Sequence, residues 1–97
     1  MKGIWQGLLL LPWLVQAQPQ GQTEDIKCYV TLAGGYQVVL QQPVADTRPA
    51  NLITVFKQKG YEIDGVVRPV VEVQQCVPLT GEFSLVGAKQ QDENQPR

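Results

Sequence analysis

The chain contains no histidine, one serine (Ser84) and two cysteines among its 97 residues, and both tryptophans, Trp5 and Trp13, lie within the first 17. Each shortage closes off a chemistry. Without histidine no Ser-His or Cys-His nucleophile pair can be assembled. The two cysteines are far apart and form no C-x-x-C, so a redox pair or zinc site has no sequence support. Charge is also sparse: eight Lys and Arg stand against nine Asp and Glu, a net charge of −1 that becomes −2 once Lys2 is set aside. Such a balance gives no reason to expect nucleic-acid binding, which draws its affinity from neutralising phosphates. It also lacks the basic, amphipathic surface of a helix lying on a membrane.

The N-terminal residues read as an address. Met1 and Lys2 are followed by an apolar stretch from Gly7 to Val15 with Leu8-Leu9-Leu10-Leu11 at its centre, and Val15-Gln16-Ala17 closes it. This is the grammar of a secretory signal peptide, with cleavage expected between Ala17 and Gln18. The stretch falls well short of the roughly 20 apolar residues a spanning helix needs. The expected product is exported, periplasmic or secreted, with no membrane span after cleavage. The chain then divides into a signal peptide (1–17), a flexible leader (18–24), a domain (25–89) and a polar tail (90–97).

Export places Cys28 and Cys76 in an oxidising compartment, where two cysteines in a small domain most simply pair. Closing a loop of about 49 residues contributes about 4 kcal/mol in the chain-entropy treatment. That is a large share for a domain that buries only about 60% of its unfolded surface.

Valine and glutamine are the commonest residues after position 17, and abundant valine favours strands. Ile26 to Leu32 and Tyr36 to Gln41 alternate at period two around Gly34-Gly35, a hairpin signal. A three-residue loop, Ala33-Gly34-Gly35, pairs Leu32 with Tyr36, Val30 with Val38 and Cys28 with Leu40, and puts all six on one face. A two-residue loop would mix the faces, so the first register is expected. Tyr29 then lies on the other face, as a partner surface or beneath a C-terminal helix.

Residues 47–59 read either as a helix through Leu52, Val55 and Phe56, capped by Asp46 or Thr47 with Pro49 in its first turn, or as an extended segment, because Ile53-Thr54-Val55 are consecutive β-branched residues. Asp64-Gly65 between Tyr61-Glu62-Ile63 and Val66-Val67-Arg68 predicts a second hairpin. Pro69 marks an edge, a bulge or a break. In a regular strand Val71 and Val73 face opposite to Cys76, so only one set can be inward, and a bulge or a strand end near Gln74-Gln75 would reconcile this with cysteines paired inside the core. Thr80 is the expected cap of a short helix carrying Phe83, Leu85, Val86 and Ala88. The fold class is α+β: a small antiparallel sheet of three to five strands, a C-terminal helix and one disulfide.

Catalysis by carboxylates would have to use Glu62, Asp64 and Glu72, with Glu24 and Asp25 as a second pair, and a domain this small has little room for the pocket such chemistry needs. No cofactor or metal is implied. Binding is the better reading, through a protein partner in the cell envelope. Tyr29, Gly34, Gly35, Asp64 and Gly65 are the candidate surface, since tyrosines and hairpin tips make good contacts. A small periplasmic inhibitor presenting a hairpin tip to an enzyme is the alternative.

The order Lys27-Cys28-Tyr29-Val30, Gly34-Gly35, Asp64-Gly65, Val73-Gln74-Gln75-Cys76-Val77, Phe83 and a polar end at Pro96-Arg97 resembles the TapY-type family of small secreted accessory proteins of the type IVa pilus and secretion machinery. Gln75 stands where that family leads one to expect an acidic residue. The resemblance implies a helper of an export or pilus system, with no catalytic residues to carry over. Thiol titration of the exported, denatured chain is expected to find no free cysteine; two free thiols would contradict the pairing of Cys28 with Cys76.

Overall fold

The structure is a computed structural model that describes residues 22–96. The expected signal peptide and its cleavage point at Ala17 and Gln18 lie outside the described residues. Six elements follow one another: β1 (Glu24–Leu32), β2 (Gln37–Val44), α1 (Pro49–Lys57), β3 (Gly60–Ile63), β4 (Val66–Pro78) and α2 (Val86–Asn94). The strands form one antiparallel sheet in the order β2-β1-β4-β3.

The first hairpin takes the register that keeps its apolar residues together, with Cys28 opposite Leu40 and Val30 opposite Val38. Leu32 N–H donates to the carbonyl of Tyr36 at 2.7 Å and closes the three-residue loop. β1 is buried on both faces. Ile26, Cys28, Val30 and Leu32 join Val38, Leu40 and Val44 of β2, Val70 of β4, and Leu52 and Phe56 of α1 in one core. Tyr29 turns the other way and packs with Val39, Phe83, Ala88 and Val77 in a second. The sheet is therefore a middle layer, with α1 over one face and α2 with its lead-in over the other.

α1 resolves the ambiguity of residues 47–59 in favour of helix. Leu52 and Phe56, four residues apart, share one buried face. Full burial of Phe56 outweighs the small propensity cost of Ile53-Thr54-Val55. The expected cap is not made, and Arg48 occupies the N-cap position without a side-chain bond. Asp46 instead accepts from the Arg48 backbone N–H and guanidinium, which hold its carboxyl well below the usual carboxylate range, at about 2. The helix also stops at Lys57, short of Gly60, which opens β3. Gly60 fits closely there, and a Cβ, 2.8 Å from Cγ1 of Val67, would force that side chain to shift.

Two irregularities in β4 solve its phase problem. Tyr29 faces Gln75 and Val30 faces Val73, so Gln74 is the extra residue of a bulge; Val71 is passed over in the same way between Glu72 and Val70. The first shift lets Val73 and Cys76 pack against the same core, whereas Val71, grouped with Val73 by the alternation, stays out of it at 50% exposure because of the second shift. Cys28 faces Cys76 directly, and the two are joined in a disulfide. Pro69 does not break the strand. β4 passes through it unbroken, pairing with Gly60 of β3 on one side, while the Pro69 carbonyl accepts from Ala33 N–H at 2.9 Å on the other. Proline is tolerated because this is where β4 exchanges one partner for the next.

The C-terminal helix begins and ends later than the sequence suggests. Thr80 caps nothing, and Phe83 and Leu85 precede α2, which starts at Val86 and runs to Asn94. Gln75 holds the lead-in: its Oε1 accepts from the N–H groups of Ser84 and Leu85, both at 3.2 Å, and its Nε2 donates to Ser84 Oγ at 3.0 Å. A carboxylate at this position could accept but not donate. Most of the supposed polar tail is thus helix, docked by polar contacts. Lys27, 6% exposed, pairs with Asp92 at 2.6 Å and lies 5.3 Å from the Phe83 ring centre. The amide of Gln95 grips the backbone of edge strand β2, accepting from Val39 N–H and donating to Val39 O, both at 2.8 Å. Gln95→Glu keeps the acceptor and loses the donor. We expect it to cost about 1–2 kcal/mol in urea unfolding and to speed amide exchange at Val39; unchanged exchange there would contradict the docking role.

Candidate functional site

The sheet topology brings the two predicted hairpin tips to the same end of the molecule. The β3–β4 turn has Asp64 at φ 52° and Gly65 at φ 80°, the left-handed pair of a type I′ turn between Ile63 and Val66. In the β1–β2 loop, Gly34 and Gly35 stand at φ 97° and 90°. β1 ends opposite Val70, so the second hairpin projects beyond the end of β1 by the few residues from Val70 back to Gly65.

The two hairpins meet through a side-chain pair that the sequence reading missed. The Arg68 guanidinium stacks 4.7 Å from the ring centre of Tyr36. Gly34 closes against both: a Cβ there would lie 3.1 Å from Arg68 Nη1 and 3.1 Å from Tyr36 Cε2. Arg68 Nε is buried without a hydrogen-bond partner. Beside this pair Tyr36 and Val66 are exposed, and Val67, 67% exposed, lies at the same end on the opposite face of β4. The only sequence signal was parity: Arg68 opposes Tyr61 and shares its strand face with Val66 and Val70.

Tyr29 does not belong to this surface. It is 6% exposed, packs against Phe83, and its hydroxyl donates to Gln37 Oε1 at 2.7 Å. A Cβ on Gly87 would come within 3.1 Å of that hydroxyl, so α2 sits directly over the ring. Of its two expected roles, Tyr29 fills the one beneath the helix and is corrected as a contact residue. Phe83, itself fully buried, needs a large apolar neighbour, and Tyr29 supplies it.

A shallow groove of about 200 Å³ runs between α1 and β4, lined by Pro49, Leu52, Ile53, Val73, Gln74, Gln75 and Cys76. It continues past Ile26, Thr47, Val77 and Pro78. Its lining is mainly apolar and offers room for a side chain of a partner, but no nucleophile. On the opposite face Glu82, Lys89, Asp92 and Glu93 surround an opening beside Phe83. Among the described residues no three of His, Cys, Asp or Glu are placed to hold a metal ion. The carboxylates considered for acid–base work do not converge. Glu62, Asp64 and Glu72 are all exposed. Glu62 faces Val67, five residues along β4 from Glu72, a separation of roughly 15 Å at strand spacing. Among the described residues no helix is long and apolar enough to cross a membrane.

A gathered pair of turns, one stacked arginine and a rim of exposed valines can bind a protein surface, and the described residues show no assembled reaction centre. No curated protein and no solved structure matches the chain. A family model does match, over residues 4–97, with the description "Type IVa secretion system protein TapY2-like". With nearly its whole length matched, the chain belongs to the TapY2-like family of type IVa secretion system proteins.

Proposed function

We propose that this protein is a non-catalytic accessory component of the type IVa system, acting in the cell envelope through protein–protein contacts made by the sheet end that carries both hairpin tips. The observation that carries this reading is the gathering there of Gly34, Gly35, Asp64 and Gly65 with exposed Tyr36, Val66 and Val67. Exposed apolar side chains collected at one end of a small domain are a feature of interaction surfaces, whereas scattered ones are ordinary. The family supplies the system in which such a contact would be used. A periplasmic or secreted location accords with the N-terminal grammar and with a disulfide holding the central strands. Insertion of the same end into an enzyme's cleft, as a small inhibitor, is the competing use of this surface.

The two uses differ in what lies against Val67. A photoactivatable benzoylphenylalanine placed at Val67 in the exported chain is expected to crosslink, in living cells, to a component of the pilus or secretion machinery. The same probe at Lys57, exposed on α1, is the control and should give a different or weaker pattern. Crosslinking from Val67 to a hydrolase alone would favour the inhibitor, and no specific crosslink from Val67 would overturn the contact surface.

A further inference from the structure

Arg68 is a cation at this end of the sheet that is already fixed in position. Its guanidinium lies over the Tyr36 ring and against Gly34, and among the described residues no carboxylate pairs with it: the ion pairs join Lys27 to Asp92 and Arg48 to Asp46. The acidic residues on its own hairpin do not pair with it. Glu62 pairs with Val67 along the strands and so points to the other face, and the two ion pairs among the described residues do not include Asp64. Arg68 Nε is buried with no acceptor.

We propose that Arg68 is the anchor of the contact surface and that the partner protein presents an acidic side chain to it, flanked by apolar residues that settle on Tyr36 and Val66. This rests on the contact function proposed above and names the chemistry of the partner. A planar guanidinium matches a carboxylate with two parallel hydrogen bonds, which an ammonium cannot reproduce. Stacking on Tyr36 holds the fork in place before binding, so less side-chain freedom is lost when the acceptor arrives. Arginine beside exposed aromatic and aliphatic groups is also the composition of an interface centre. The anion is a side chain of a protein, because the exposed groups beside Arg68 on its face, Tyr36 and Val66, are aromatic and aliphatic and fit the apolar flanks of a protein segment.

Two measurements test the proposal. In the first, the wild-type chain is titrated by NMR with acetyl-Val-Leu-Glu-Leu-Val-amide and with the same peptide carrying Gln in place of Glu. The Glu peptide should move the Arg68 Nε–H and Tyr36 ring signals and bind about tenfold more tightly than the Gln peptide. Equal binding, or no movement at Arg68, overturns the anchor. In the second, the photoactivatable residue is placed at Val66, exposed on the face of Arg68, and the crosslink is compared in cells with and without Arg68→Lys, which keeps the charge and loses the planar fork; thermal unfolding checks that the variant is folded. A loss of about fivefold or more in crosslink yield is expected. A Val66 crosslink to the machinery that survives Arg68→Lys unchanged removes the anchor and leaves the contact function standing, whereas absence of any crosslink from Val66 or Val67 in the wild type removes both.

Discussion

Cys28 on β1 and Cys76 on β4 stand directly opposite one another, and the bond between them is the constraint on which the rest of the domain depends. It ties residues 48 apart in sequence and encloses β2, α1, β3 and most of β4 in one covalent loop. Constraining the unfolded chain to that extent contributes about 4 kcal/mol in the chain-entropy treatment, within a total of about 5–15 kcal/mol for ordinary domains. The bulge at Gln74 is the local accommodation that makes it possible. Without the extra residue, Cys76 and Val73 would point to opposite faces, and either the bridge or the core would lose a member.

α2 lies outside the covalent loop and is held by other means. Phe83 enters the second core as its apolar anchor, Lys27 reaches Asp92 from β1, and glutamine amides join backbone to side chain at Gln75 and Gln95. Gln95 is of particular use because it occupies both polar backbone groups of Val39 on edge strand β2. An edge strand otherwise offers unpaired N–H and C=O groups to another chain. The abundance of glutamine thus acquires a structural meaning. An amide both donates and accepts, so it can pair with a peptide group as a neighbouring strand would.

What the residues themselves made legible was whatever depended on alternation. The register of the first hairpin and the phase break near Gln74-Gln75, a bulge or a strand end, follow from the rule that a strand has two faces and only certain sets can be inward, and the turn at Asp64-Gly65 follows from its dipeptide. The helix at Pro49–Lys57 was ambiguous because its β-branched run opposes it locally, while Leu52 and Phe56 earn their burial only against strands distant in sequence. The position of α2 was misread for a similar reason. Its stability comes from Asp92 and Gln95 meeting Lys27 and Val39, contacts across more than fifty residues that no local pattern records. Tyr36 and Arg68 went unnoticed as a pair because they sit on different hairpins, and only the sheet order brings them together.

The functional surface follows from the same architecture. β1 and β4 joined by the disulfide form the rigid centre, both hairpins extend from one end of it, and Arg68 links the second hairpin to the first across Tyr36. A contact surface made of turns needs such a base, because turn residues alone cannot hold their relative positions. The most direct measurement of this account is urea unfolding of the oxidised chain against the chain with Cys28 and Cys76 fully reduced, followed both by circular dichroism and by the NMR signals of Tyr36 and Arg68. The account predicts a loss of about 4 kcal/mol on reduction, with the Tyr36–Arg68 stack lost in the same transition as the sheet. An unchanged midpoint, or a stack that persists after the sheet has unfolded, would contradict it.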